Sequence, residues 1–120
     1  MKLESRFYNE LKRITPQIRW TRLENTSVLG TPDLLGYNTN QHFFTIELKI
    51  ANGSKVRLSP HQISFHIRHP ENTFILVKAK VACRLYLGKQ VRELFACGCS
   101  LAPVACGWID TRLWLESLGQ

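Results

Sequence analysis

Apolar residues recur at helical spacing near the start of the chain and at strand spacing further along it. One apolar side chain falls on each turn of residues 3–14, which predicts an amphipathic helix that ends before Pro16. Residues 43–50 alternate between apolar and polar instead, which predicts a strand. Its apolar positions are even-numbered, so Glu47 and Lys49 project together from the opposite, polar face.

A second helix is predicted to begin at Ser59 and to run to about Arg68. Ser59 can cap this helix, Pro60 suits its first position, and Gln62 stands where it can complete a capping box. Shorter strand-like runs precede and follow the helix: residues 18–24, 33–37 and 73–81.

The last third of the chain predicts a hairpin and a final helix. Residues 83–87 and 90–95 are strand-like on either side of Gly88. Asp110 is a candidate cap for a short helix over residues 111–118. We therefore expect two further strands and one helix after the αβββαβ order of the preceding elements.

The length and the order of these elements predict the class of fold. With 120 residues, the chain has room for a single domain, residues 1–120. The order predicts an α/β or α+β domain with a central mixed β-sheet flanked by helices. No apolar run approaches the ~18 residues of a membrane span, and no apolar leader stands at the N-terminus, so we expect a cytoplasmic protein with no membrane partner.

Net charge is the first indication of a partner. Lys and Arg number 16 and Asp and Glu number 9, which gives a net charge of +7 at pH 7. A positive excess of this size favours a polyanion, and nucleic acid before a membrane surface. The alternative is that the charge serves only solubility.

Four cysteines are present, and their spacing argues against a structural metal site. Cys97, Cys99 and Cys106 lack the paired C-x2–4-C knuckles of zinc sites. With no secretory signal ahead of them, we expect these thiols to be reduced and buried.

Two carboxylates flank the turn that precedes the clearest strand. If the strands on either side pair symmetrically about Asn40, Asp33 and Glu47 lie directly opposite each other. Like charges in that position are unfavourable, and a divalent cation between them removes the penalty. Oxygen ligands of this kind suit Mg²⁺ or Mn²⁺.

A lysine completes the set, because Lys49 projects from the same face as Glu47. A cation there can hold an attacking water or stabilise charge that builds on a phosphate. The residues therefore predict a site for metal-assisted phosphodiester hydrolysis. Lys55 and Arg57 in the adjacent loop are candidates to grip a DNA backbone.

This order of motifs resembles the VRR-NUC branch, the virus-type replication-repair nucleases, of the PD-(D/E)XK nuclease superfamily. The resemblance covers about residues 4–80, and residues 82–120 form an extension that matches no motif known to us. The segments that carry it are Arg22-Leu23-Glu24-Asn25, Gly30-Thr31-Pro32-Asp33-Leu34-Leu35, Ile46-Glu47-Leu48-Lys49 and Leu58-Ser59-x-x-Gln62.

The resemblance implies a restriction-endonuclease-like core and a role for each site residue. Asp33, Glu47 and the backbone carbonyl of Leu48 would bind Mg²⁺ or Mn²⁺. Lys49 would orient or activate the water, and Gln62 would position that lysine or a phosphate. No small-molecule cofactor is implied. For Gln62, the capping-box role stands beside the catalytic one, and the two are compatible.

A glutamate of the first helix is also implied, in contact with metal-bound water. Glu4 and Glu10 lie at similar angles on opposite edges of the apolar stripe, so helix geometry does not choose between them. Glu4 precedes the first apolar pair, as the family glutamate does, and is our prediction. Glu24 is a candidate for a supporting role, and Arg22 would pair with it or with DNA.

The predicted function is that of a metal-dependent, structure-selective DNA endonuclease, specifically a Holliday junction resolvase of the stand-alone, phage-like type. A homodimer would present two identical sites to a two-fold substrate. Two alternatives stay open. One is a nuclease of the same fold that cuts flaps, ends or duplex DNA, and the other is a non-catalytic DNA-binding module.

Overall fold

A computed structural model of the chain describes residues 3–23 and 29–120. Ten helices and strands are assigned in these residues, and two 3₁₀ turns, Gly88–Gln90 and Gly98–Ser100, flank the third helix. In chain order they are α1 (Leu3–Ile14), β1 (Arg19–Arg22), β2 (Leu34–Tyr37), β3 (Phe43–Ile50), α2 (Pro60–Arg68), β4 (Thr73–Lys78), β5 (Cys83–Leu87), α3 (Val91–Cys97), β6 (Ala105–Cys106) and α4 (Trp108–Ser117).

The six strands form one mixed sheet in the order β1-β2-β3-β4-β5-β6. Strands β3 and β4 are parallel, and α2 connects them, as parallel neighbours require. All other neighbouring pairs are antiparallel. This architecture confirms the predicted class, a mixed α+β sheet flanked by helices.

Helices cover both faces of the sheet. On the first face, α1 and α4 bury Phe7, Leu11 and Leu115 against the even-numbered residues of β3 and β4. On the second face, α3 buries Val91 and Leu94 beside the odd-numbered residues of β4, and α2 packs against the same cluster. The odd-numbered residues of β3 therefore point toward the side of the sheet where α2 lies.

The hairpin of β2 and β3 has the symmetric register that its sequence predicts. Leu34 pairs with Ile46 and Tyr37 pairs with Phe43, so the pairing is centred on Asn40. Asn38 holds the turn, since its side-chain oxygen accepts the backbone N–H groups of Asn40 and His42. The strand predicted over residues 43–50 is present with both of its ends.

The predicted hairpin after residue 82 is wrong in its second half. Strand β5 is present, but residues 91–97 form helix α3, and β5 pairs with the short strand β6 instead. Val91 and Leu94 are three residues apart, which puts them on one face of a helix but on opposite faces of a strand, and both are buried on the second face of the sheet. The tight turn at Gly88–Gln90 leads into helix α3, and the Gln90 side-chain oxygen closes this turn by accepting the backbone N–H of Leu87.

Several element ends also differ from their predicted positions. The last helix begins at Trp108 rather than at residue 111, so Asp110 lies within its first turn and is not its cap. Strand β4 ends at Lys78, and Val81 is exposed beyond it. Strand β1 is described over Arg19–Arg22, while Glu24 lies outside the described residues.

The cysteines are free thiols, but only part of the expectation for them holds. Cys83 is buried and Cys99 is half-buried, whereas Cys97 and Cys106 are exposed at the surface. Separately, no helix within the described residues has the length and apolar character needed to cross a membrane.

Candidate active site

The two predicted acidic residues meet where β2 and β3 diverge. Asp33 stands immediately before the first paired residue of β2, and Glu47 stands immediately after its partner on β3. The backbone N–H of Leu48 donates to Asp33 Oδ2 at 2.8 Å. The Asp33 backbone carbonyl accepts the N–H of Leu23 at 2.9 Å. The first bond holds the Asp33 side chain against β3, next to Glu47, and the second ties the Asp33 backbone to the residue that follows β1.

Glu47 is 3% exposed, which is unusual for a carboxyl group. Its Oε2 accepts a hydrogen bond from Gln62 Nε2 at 3.2 Å, but its Oε1 is buried and accepts none from the described residues. Burial and, after it, the charge of Asp33 raise the pKa of Glu47 to about 9. Lys49 lowers this pKa and Glu4 raises it, but both act less than burial and Asp33.

An acceptor oxygen that is buried without a donor needs a physical explanation. A divalent cation between Asp33 and Glu47 would supply one, because it satisfies Glu47 Oε1 and favours the ionised carboxylate. Within the described residues, no group of three or more His, Cys, Asp or Glu side chains is arranged to hold a metal. Asp33 and Glu47 are two neighbouring carboxylates among the described residues, and carboxylate oxygens suit Mg²⁺ or Mn²⁺.

Gln62 contacts both charged residues of β3 and also caps its own helix. Its Oε1 accepts from Lys49 Nζ at 2.9 Å and from the backbone N–H of Ser59 at 3.0 Å. Its backbone N–H donates to Ser59 Oγ at 3.2 Å, which completes the predicted capping box. The cap fixes where the Gln62 side chain begins, and that side chain then holds Lys49 beside Glu47.

Gly30 brings the turn that carries Asp33 onto the start of α2. Its φ is +86°, and a Cβ at this position would lie 2.3 Å from the carbonyl oxygen of His61. Only glycine allows so close an approach with that backbone conformation. The glycine of the Gly30-Thr31-Pro32-Asp33 motif therefore has a structural role: it packs one side of the site against the helix that carries Gln62.

The structure places the two candidate glutamates of α1 at different cavities. Glu4 lines a cavity of about 700 Å³ together with Asp33, Arg22 and the backbone-bonded Leu48. Glu10 instead forms an ion pair with Lys78 at 3.1 Å on the other edge of the helix. Of the two, Glu4 is the one that the packing of α1 brings to the acidic pair.

The three predicted DNA-binding residues are not together. Arg22 lines the same cavity as Asp33, whereas Lys55 and Arg57 are exposed on the segment between β3 and α2. That segment is held by the part of the chain that matches no motif: the backbone N–H of Cys99 donates to the Ser54 carbonyl at 2.7 Å.

Sequence reasoning missed a further residue of the cavity, Tyr8 of α1. The Tyr8 ring has Lys12 Nζ 4.6 Å from its centroid and Arg22 Cζ 5.2 Å from it. The spacing of Glu4, Tyr8 and Lys12, four residues apart on one helix face, is the signal that points to it.

Comparisons with known proteins support the fold and not a family. No family model matches the chain, and no curated protein matches it. Among solved structures, the chain is similar to Hjc of Archaeoglobus fulgidus, described as a Holliday junction resolvase from an archaeal hyperthermophile. The TM-score is 0.57 at 17% sequence identity, over 72% of this chain and 78% of Hjc. The sheet and its flanking helices thus match a restriction-endonuclease-like fold, while membership of the VRR-NUC branch is not confirmed.

Proposed function

We propose that this chain is a divalent-metal-dependent DNA endonuclease that acts on Holliday junctions. The observation that carries the proposal is the buried Glu47 carboxylate, with one oxygen lacking a donor beside Asp33 and with Lys49 held next to it by Gln62. The similarity in fold to Hjc, a Holliday junction resolvase, supports DNA as the substrate. The net charge of +7 agrees with a polyanionic partner.

Asp33 and Glu47 would hold the metal ion, Mg²⁺ or Mn²⁺, together with the backbone carbonyl of Leu48. When bound, such an ion lowers the pKa of a coordinated water and stabilises charge on the scissile phosphate. Burial of Glu47 keeps bulk water away from its carboxylate, which strengthens the attraction between that carboxylate and a cation.

Lys49 would orient the attacking water or stabilise the phosphate. An ammonium group has three donors, and Gln62 takes one of them, at 2.9 Å. The other two have no acceptor among the described residues, so a water or a phosphate oxygen can take them, and the bond to Gln62 limits where they point. Glu4, on the wall of the cavity that Asp33 also lines, would hold a water near the acidic pair.

A resolvase must cut two strands, and we propose that a homodimer supplies the second site. A two-fold pair of chains would present two identical copies of the Asp33–Glu47 site to a two-fold junction. Arg22, Lys55 and Arg57 would bind the DNA backbone on either side of the cut. In this proposal residues 4–80 contain the catalytic core, and residues 82–120 complete the sheet.

The test is cleavage of a synthetic four-way junction against a linear duplex of matched sequence, with Mg²⁺ and with EDTA, at one stated salt concentration. Paired nicks that need the metal and occur only in the junction are expected. Asp33→Asn and Lys49→Met should each lower the cleavage rate at least about 100-fold, the scale expected for loss of one catalytic group. Glu10→Gln is the control: it removes a carboxylate on the edge of α1 that faces away from the site, and this variant should cleave like the unchanged chain.

The same experiment separates the alternatives. Metal-dependent cutting of the duplex, or of a flap included in the panel, would replace the junction with another DNA substrate. Binding of DNA without cleavage of any substrate would indicate a non-catalytic module. Full activity of Asp33→Asn would overturn the assignment of the site.

A further inference from the structure

Two cations converge on one aromatic ring at the edge of the candidate active site. Lys12 Nζ lies 4.6 Å and Arg22 Cζ lies 5.2 Å from the centre of the Tyr8 ring. Tyr8 and Arg22 line the same cavity of about 700 Å³ as Asp33. We call Tyr8, Lys12 and Arg22 the Tyr8 cluster.

Neither cation of the Tyr8 cluster is neutralised by an ion pair with another residue that the structure describes. In residues 3–23 and 29–120, the ion pairs are Glu10–Lys78, Glu71–Lys89 and Arg112–Glu116, and neither cation of the cluster takes part in one. Lys12 and Arg22 are both exposed, while the ring between them is half-buried. The ring attracts each of the two cations.

Charge is divided along one face of α1. Glu4 stands one turn before Tyr8 and Lys12 one turn after it, so the acidic end of this face lies beside Asp33 and the basic end leads away from it. A phosphodiester chain that placed one phosphate at the acidic pair would pass its next phosphates along the basic end.

We infer that the Tyr8 cluster is a second phosphate-binding site, which holds the DNA backbone next to the phosphate that is cut. The inference rests on the proposed function, since it takes DNA as the substrate. Arg22 offers a planar fork that matches two phosphate oxygens, and Lys12 adds a point charge. Tyr8 is a positioning residue, because it acts by orienting the two cations.

The test measures binding without cleavage, with a fluorescent four-way junction in EDTA over a series of salt concentrations. Lys12→Ala and Arg22→Ala should each make the negative slope of log K against log salt shallower by about 0.9. Each should weaken binding about eightfold near 0.1 M salt, as one lost phosphate contact requires. Lys89→Ala is the control, because it removes the same charge from an exposed lysine that does not line this cavity and whose ion pair with Glu71 is itself exposed and weak.

The role of the ring is tested by two variants of Tyr8. Tyr8→Leu should weaken binding severalfold with little change in the salt slope, since both charges remain but lose their position. Tyr8→Phe keeps the face of the ring and should bind like the unchanged chain. Thermal unfolding of each variant checks that the fold is retained.

The outcomes distinguish this inference from the proposed function. If Lys89→Ala changes the slope and the affinity as much as Lys12→Ala does, the cluster is not a defined phosphate site and the inference fails. If the cluster variants bind normally while Asp33→Asn abolishes cleavage, the nuclease proposal stands alone. If the cluster variants lose affinity as expected but no substrate is ever cut, the phosphate site stands and the nuclease proposal fails.

Discussion

Replacing Glu47 with glutamine should stabilise the metal-free protein, and the gain should grow with pH. The pKa of Glu47 is raised from 4.5 to about 9, with burial as the main cause and Asp33 as the second. Between these two values the folded chain keeps a proton that the unfolded chain releases. The contribution of Glu47 to stability is therefore fully present below pH 4.5 and is lost as the pH rises toward about 9.

The size of this effect follows from the same two values. Each pH unit in the window removes about 1.4 kcal/mol, so the loss between pH 4.5 and neutral pH is on the order of 3 kcal/mol. This is a large share of the ~5–15 kcal/mol that stabilises a typical domain. Glutamine does not titrate, and its amide can donate to Asp33 while its oxygen keeps the bond from Gln62. The variant should therefore unfold on the order of 10 °C higher than the unchanged chain at neutral pH.

The assay is thermal unfolding in EDTA across the acidic to mildly alkaline range, repeated with Mg²⁺ in excess. Relative to Glu47→Gln, the unchanged chain should lose stability as the pH rises in EDTA, and this comparison cancels other titrating groups such as the buried His66, whose pKa burial lowers. Mg²⁺ should restore about 2.7 kcal/mol to the unchanged chain at a concentration of 100 times Kd and nothing to Glu47→Gln. Glu10→Gln is the matched control: it removes the same charge from a half-buried ion pair with Lys78 and should respond like the unchanged chain.

Two results would refute this reasoning. If Glu47→Gln and the unchanged chain lose stability in parallel as the pH rises, Glu47 does not hold the additional proton. If Mg²⁺ stabilises both proteins equally, Glu47 is not a ligand of the metal.

Three further predictions concern the supports of the site. Gly30→Ala should destabilise the protein by about 1–3 kcal/mol in urea unfolding and reduce cleavage, because the added Cβ meets the α2 backbone. The control is Gly53→Ala, which is also at positive φ but in open space; it should lower the free energy of unfolding by less and leave cleavage unchanged. Ser59→Ala should lower stability by about 1 kcal/mol and change the cleavage rate by no more than a few-fold. Gln62→Ala should lower stability by a similar amount but remove most of the cleavage rate. If the two variants cleave at equal rates, Gln62 acts only as a helix cap. Glu4→Gln should slow cleavage at least about tenfold without changing junction affinity in EDTA, and an unchanged rate would exclude Glu4 from the site.

Local pattern was sufficient for the centre of the fold and for the acidic pair. The alternation of residues 43–50 determines the strand and its two faces, and the turn at Asn40 determines the register. Together they place Asp33 beside Glu47 without any knowledge of the rest of the chain. The capping box at Ser59 is equally local, since all of its partners lie within one helical turn.

Other features depend on contacts between distant segments, and the tertiary structure alone decided them. The two edges of α1 are equivalent on a helical wheel, and only the packing of that helix on the sheet puts Glu4 at the acidic pair and Glu10 beside Lys78. Residues 91–97 follow a turn signal at Gly88 that predicts a hairpin, and their packing against the second face stabilises a helix instead.

The raised pKa of Glu47 has the same origin. Its position on the polar face of β3 does not show whether another element covers that face, and in the structure the start of α2 packs over it and leaves Glu47 3% exposed. Periodicity is a property of neighbouring residues, and it shows which side of an element a residue faces. Which other part of the chain covers that side is set by the packing of the whole molecule, and here that packing determines both the charge state of Glu47 and its suitability for a metal ion.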